Sequence, residues 1–363
     1  TGSLTVPAES GTVVTTASPS LGRRNILYNG DAKISQRGTS DTVAATTKYV
    51  LDRWKHEFNT SGVSITASQD TTDAPTDKGF GYAIKTVVGT AATSGSSNVA
   101  DIRQALEGQD CQLLRFGTSD AQDATVSFWV RSSVTGTYCC AMRNVDGGVS
   151  QVKEYTISSA NTWEYKTLTF SGDTTNALDN DNDVSIIMYW DLGTGSALQT
   201  GTTDSWVSGA VRSTANQVDW VGTTGATFYL TGVQLEVGSV STPYEHRSFG
   251  DELALCQRYF QKTISGFFGI ADTSSSVVFG HPFPVTMRAT PTISLYDGTG
   301  VRVGDLVSLG FNTTSGSVVS NYGTQYIAAF RVTGFSGLTT YRTYFSEINP
   351  PTYGDPYGFD AEL

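Results

Sequence analysis

The chain has 363 residues, 38 of them glycine, and only 16% are charged. Long helices need Ala, Leu, Glu, Lys and Arg in quantity, so a Gly-, Ser- and Thr-rich chain excludes an α-helical protein and predicts two or three β domains. Its 23 basic and 34 acidic residues give a net charge of −11, which argues against a nucleic-acid partner, and no apolar run reaches the roughly 18 residues of a spanning helix, so no membrane insertion is expected.

In chain order, residues 1–24 lack any helical period and read as an extended arm or linker. A first compact unit spans 25–244, with strand candidates at 48–58, 62–67, 81–88, 124–131, 136–144, 151–158, 164–170, 184–190 and 227–237. Val126, Phe128 and Val130 alternate with polar or smaller neighbours, the pattern of a half-buried strand. Residues 102–106 fit either a helical turn or a strand. Strands at these spacings predict a two-sheet sandwich or jelly roll. Cys139 and Cys140 are adjacent on one strand and should face opposite ways. Without a CxxC pair or a His at ligand spacing, the four cysteines read as free buried thiols.

Residues 226–261 mark the boundary. All six tryptophans precede residue 221. The strand at 227–237 carries a bulge candidate at Gly232, and Pro243 stiffens the connection that follows. Ser248 stands three residues before Asp251 in a capping-box-like start, with Leu253, Cys256 and Phe260 at helical spacing. A helix from Ser248 to Gln261 is too short to stand alone in water. Its apolar side must be buried by the protein's own domains or by neighbouring subunits, which makes Leu253, Cys256, Tyr259 and Phe260 the subunit-interface candidates. Residues 245–261 are thus linker and helix, and 262–363 form a smaller β domain. Strands are expected there at 266–270, 276–279, 292–296, 307–310, 327–332 and 340–345, before a Pro-rich tail from 349 that should be irregular. The fold class is all-β: a jelly-roll sandwich, one short helix, and a second small β domain.

FYLTGVQLEVGS and TPYEHRSFGDELALCQRYFQ, followed by PVTMRATPTISL at 284–295, resemble the distal part of bacteriophage tail fibres and related virion appendages. Residues 25–40 (NILYNGDAKISQRGTS), 49–54 (YVLDRW), 125–138 and 161–174 are similar to the same proteins, so the resemblance covers most of the chain in order. It implies a virion protein assembled in the host cytoplasm. It also implies a carbohydrate-binding-module-like jelly roll, a small C-terminal β domain, a homotrimer with the helix near its axis, and an arm that meets other virion proteins. The family includes head-attached fibres as well as tail fibres.

No catalytic motif is visible. His56 reads as a structural histidine, His246 as a hinge residue flanked by Glu245 and Arg247, and His281 has no nucleophile context. Asp179, Asp181 and Asp183 alternate like Ca²⁺ ligands, but Val184 and Trp190 replace the Gly and Glu of an EF-hand. What is left is a candidate structural Ca²⁺ loop, against a plain solvated one, and no other cofactor. Sugar recognition needs exposed aromatic faces beside carboxylates. Trp206 and Asp204 in a polar loop, and Tyr353 and Tyr357 in the tail, are the glycan-binding candidates, whereas Trp129, Trp163, Trp190 and Trp220 read as packing residues. Three functions remain open: a receptor-binding tail fibre attaching to host-surface glycans, a capsid or tail decoration protein, and a polysaccharide depolymerase.

Overall fold

The computed structural model describes residues 23–263, 267–295, 301–305, 311–314, 318–321, 323–346 and 357–363, and the chain divides into two compact units between Arg247 and Ser248. Most of the 1–24 arm, the strand expected at 307–310 and Tyr353 lie outside the described residues. No helix among those described is long and apolar enough to cross a membrane.

The first unit opens on a buried segment that precedes any strand. Asn29 adopts a left-handed backbone (φ 52°), which Asn tolerates better than most side chains. Its amide donates to the carbonyls of Ile34 and Asp52 and its oxygen accepts from the Ile34 N–H. The Trp54 indole donates to the Asn29 carbonyl at 2.8 Å. The strands follow as β1 (Ser40–Ala44), β2 (Thr46–Leu51), β3 (Trp54–Phe58), β4 (Ser64–Asp70), β5 (Ala83–Thr90), β6 (Ala100–Glu107), β7 (Ala124–Ser132), β8 (Gly136–Asn144), β9 (Val149–Ile157), β10 (Glu164–Phe170), β11 (Val184–Asp191), β12 (Val207–Ser208) and β13 (Thr227–Val237), with one helical turn, α1 (Gly108–Cys111), after β6. They form a six-stranded sheet, β1-β4-β5-β13-β7-β10, and a seven-stranded sheet, β12-β9-β8-β11-β6-β3-β2.

These two antiparallel sheets make an all-β, jelly-roll-type sandwich. Its core is aromatic: Trp190 from one sheet lies edge-on to Trp54 at 5.4 Å and to Phe128 from the other at 5.8 Å. Trp190 and Trp220 are fully buried, as expected. Cys140 turns inward and Cys139 outward, and all four cysteines are buried and outside any disulfide. The segment expected as one strand at 48–58 is instead the hairpin β2–β3, because Arg53 turns the chain at φ 69°. Residues 102–106 are strand, within β6, whose eight residues are all buried. Gly232 does carry a bulge: it sits at φ 59° where the β13–β7 register shifts, and a Cβ there would stand 2.6 Å from the Phe80 ring.

In the second unit, Ser248 caps α2 (Phe249–Gln257) by accepting from the Asp251 N–H at 3.1 Å. The helix stops four residues short of Gln261 because Phe260 already belongs to a strand. The strands are β14 (Phe260–Thr263), β15 (Phe268–Thr273), β16 (Ser276–Pro282), β17 (Thr292–Leu295), β18 (Val301–Gly304), β19 (Phe311–Thr314), β20 (Val318–Asn321), β21 (Ile327–Thr333), β22 (Thr343–Ser346) and β23 (Tyr357–Asp360). They build a three-stranded sheet, β14-β23-β17, and a seven-stranded one, β19-β18-β22-β15-β16-β21-β20. The end of the tail is therefore not irregular. β23 pairs on both sides, and Tyr357 and Phe359 anchor it in a core with Phe279 and Phe330.

Candidate functional site on the open face of the six-stranded sheet

Alternation along β7 sends Phe128 and Val130 into the core and Trp129 and Arg131 outward. Register places Tyr165 of β10 opposite Trp129, and Tyr229 of β13 between Arg131 and Lys85 of β5. Trp129 and Tyr165 touch with ring centroids at 5.3 Å, and Tyr165 is 44% exposed. One row along the strand, Trp163 meets Tyr229 edge-on at 6.0 Å. Trp129 and Trp163 are half-buried, so both indoles keep accessible surface.

A polar network crosses this face. The loop between β4 and β5 brings Asp73 over the sheet, where it accepts from the Tyr229 hydroxyl at 3.1 Å and pairs with Arg131 at 3.2 Å and Lys85 at 3.5 Å. The Trp163 indole donates to the Asp73 carbonyl at 2.9 Å. Burial would raise the Asp73 carboxyl, but the hydrogen bonds from Arg131 and Tyr229 and the neighbouring positive charges outweigh it and hold the group below its usual value. Arg131 and Lys85 lie over the Tyr229 ring at 4.9 and 5.1 Å, and Lys78 over Trp129 at 5.7 Å. Beside it, Tyr244 and His246 pack on Phe80 at 5.1 and 5.4 Å. His246 is thus held by ring packing, while Glu245 and Arg247 pair with each other at 3.4 Å. Aromatic surface next to fixed donors and acceptors is the combination that binds a sugar ring by its C–H face and its hydroxyls.

The other outer face is closed. Residues 192–219 lie over the seven-stranded sheet and seat Arg212 on Tyr189 at 4.6 Å, its guanidinium donating to Asp101 at 2.6 Å. Arg103 also donates to Asp101, at 2.7 Å, and to Glu57. Asp191, fully buried here, accepts from the Gly193 and Thr194 N–H groups and from Gln217. Burial pushes its carboxyl up to about 6. A polar cavity of about 200 Å³ opens at the edge of this cover, lined by residues that include Gln199, Gln217 and Asp219.

The sequence-derived candidates fall elsewhere. Trp206 is half-buried beside β12, edge-on to Phe116 at 5.6 Å, with its indole donating to the Ser171 carbonyl. Asp204 is exposed, and the hydrogen bond from Lys153 at 2.5 Å lowers its pKa. Neither joins the aromatic face. Tyr357 is fully buried and offers no surface to a ligand, because β23 is an inner strand of its sheet. Cys256, Tyr259 and Phe260 are likewise buried within the chain's own packing, which leaves Leu253, half-buried, as the one member of that set with surface for a partner. Asp179, Asp181 and Asp183 are exposed, and among the described residues no group of three such side chains converges to hold a metal. The loop is fastened by its main chain, the carbonyls of Asp181 and Asp183 accepting from Gln109 and Gly108.

Alternation alone would have put Trp129 and Tyr165 on one face. What identifies that face as open is the course of the loops.

No protein-family profile matches the sequence, and no curated protein matches it. Solved structures match in shape over part of the chain. The enzymatically active domain of bacteriophage CBA120 tailspike protein 4 is 13% identical at a TM-score of 0.32, over 59% of this chain and 21% of that one. A sugar-binding protein described from Bacteroides thetaiotaomicron is 11% identical at 0.32, over 59% and 100%. TmCBM61 in complex with β-1,4-galactotriose is 12% identical at 0.29, over 59% and 99%. This chain therefore spans about a fifth of the tailspike's length. Likeness this shallow carries nothing about activity or ligand.

Proposed function

We propose that this protein is a non-enzymatic bacteriophage virion appendage, a tail fibre or receptor-binding protein, that attaches to host-surface glycans through the open face of the six-stranded sheet. The observation that carries the reading is the half-exposed Trp129–Tyr165 pair and Trp163 set beside the Asp73–Arg131–Lys85 network. Turnover would need a carboxyl held protonated near neutral pH in reach of a substrate. On the face, Asp73 and Asp77 are shifted the other way, and Asp191, which is raised, lies beneath the 192–219 cover. The sequence resemblance supplies the virion setting, the homotrimer and the role of the N-terminal arm. The exposed Phe268 and Ile270 on β15 offer apolar contact area for such an assembly. Purified protein should adsorb to host-surface polysaccharide, block phage adsorption, and release no reducing ends. Failure to compete with phage would favour a decoration role, and a monomeric mass in solution would rule out the trimer.

A further inference from the structure

Resting on that reading, we infer that the ligand of the open face is an uncharged oligosaccharide of at least two rings. The face carries three cations, Lys78, Lys85 and Arg131, and each already has a carboxylate. Lys78 pairs with Asp77 at 2.8 Å, Arg131 with Asp73 at 3.2 Å, and Lys85 with Asp70 and Asp73 at 3.5 Å each. Three positive charges thus meet three negative ones. An anionic sugar would have to approach Asp73 to reach Arg131, gaining one attraction and one repulsion of similar size. A neutral hydroxyl can donate to Asp73 and accept from Arg131 at once, leaving the ion pair in place.

The number of rings follows from the rows. Trp129 and Arg131 stand two residues apart on β7, about 6.6 Å along the strand. Tyr165 and Trp129 mark one row and Trp163 the next, so the face offers two stacking positions with the polar network beside the second. One ring can occupy only one of them.

Tryptophan fluorescence of the full chain, titrated with uncharged mono-, di- and tetrasaccharides and with matched uronate and sulfated chains, tests this. The expected result is saturable binding of uncharged oligosaccharides, tighter than of their monosaccharides, with Kd changing less than about twofold between 50 and 500 mM salt because no counterion-dependent pair forms. Tyr165→Ala, at an exposed position, should weaken binding about tenfold with the melting temperature unchanged. Binding confined to charged chains and lost with salt would overturn the inference while leaving a glycan-binding face. Equal affinity for mono- and oligosaccharides would overturn the two-ring claim. No binding of either class, or binding indifferent to both Tyr165→Ala and Trp163→Ala, would remove the glycan reading of this face itself.

Discussion

On the seven-stranded sheet the outward residues Asp101, Tyr189 and Cys139 are at most 1% exposed, sealed by residues 192–219 with Arg212 as the plug. On the six-stranded sheet the corresponding outward aromatics, Trp129 and Tyr165, keep solvent-facing surface, and the β4–β5 loop delivers Asp73 and Lys78 without covering them. Both faces combine Arg, Asp and Tyr. The covered one uses them to close the fold, since buried charges must be paired, and the open one pairs them where solvent still reaches them. Residue type alone therefore does not mark a binding face. The loop that does or does not lie over it decides.

Mutations can break this contrast. Arg212→Ala removes one of two guanidinium partners from fully buried Asp101 and should cost about 3 kcal/mol of stability, read by chemical denaturation, without altering glycan affinity. The covered face also sets a pH dependence. Burial lowers His56 from 6.5 to about 4, so acidification between those values loads a proton onto the unfolded chain alone and destabilises the fold. Asp191 runs the other way: its pKa rises from 3.8 to about 6, so the folded state alone holds that proton in between, and stability falls as pH rises through the window. Between pH 4 and 6 the two slopes oppose and nearly cancel. Asp191→Asn should expose the His56 slope, a loss of about 3 kcal/mol from pH 6.5 to 4, where the wild type stays nearly flat.

On the open face the effect falls on binding more than on stability. Trp163→Ala should weaken glycan binding about tenfold and lower stability by about 1 kcal/mol, since its half-buried indole also holds the Asp73 carbonyl. Smallest of all, Lys78→Ala removes a cation from above Trp129 and should change stability by less than about 0.5 kcal/mol, as the exposed Lys78–Asp77 pair predicts, while leaving glycan affinity within about twofold. A large stability loss there would show that the open face is structural too.

Local chemistry was readable where it decides alone. Ser248 announces its cap, the 124–131 alternation its strand, and Gly232 its bulge. The hairpin at Arg53 was not, because a left-handed turn on Arg leaves no mark in a run that otherwise reads as one strand. β23 leaves no local signal because its order comes from partners on β14 and β17, roughly 100 and 65 residues earlier in the chain. How much surface Trp129 and Trp163 keep is hidden in the sequence for a related reason: alternation says which residues share a face but not what the remaining chain does with it. Trp206 drew attention through a polar neighbourhood, yet Phe116 and Ser171 take up part of its ring.

Where the chain enters and leaves the sandwich, the two ends run side by side. Arg24 donates to the Thr242 hydroxyl at 2.8 Å, the Asn25 N–H to Glu245 at 2.8 Å, and Arg247 to the Leu27 carbonyl at 3.1 Å, while Lys33 reaches the Arg247 carbonyl at 2.7 Å. Tension applied along the polypeptide therefore passes from one end to the other through this clasp and bypasses the sheets. A pull on the two ends of this unit would strain a handful of hydrogen bonds while the face built by β7, β10 and β13 kept its shape, a bead hung beside the load line rather than a link within it.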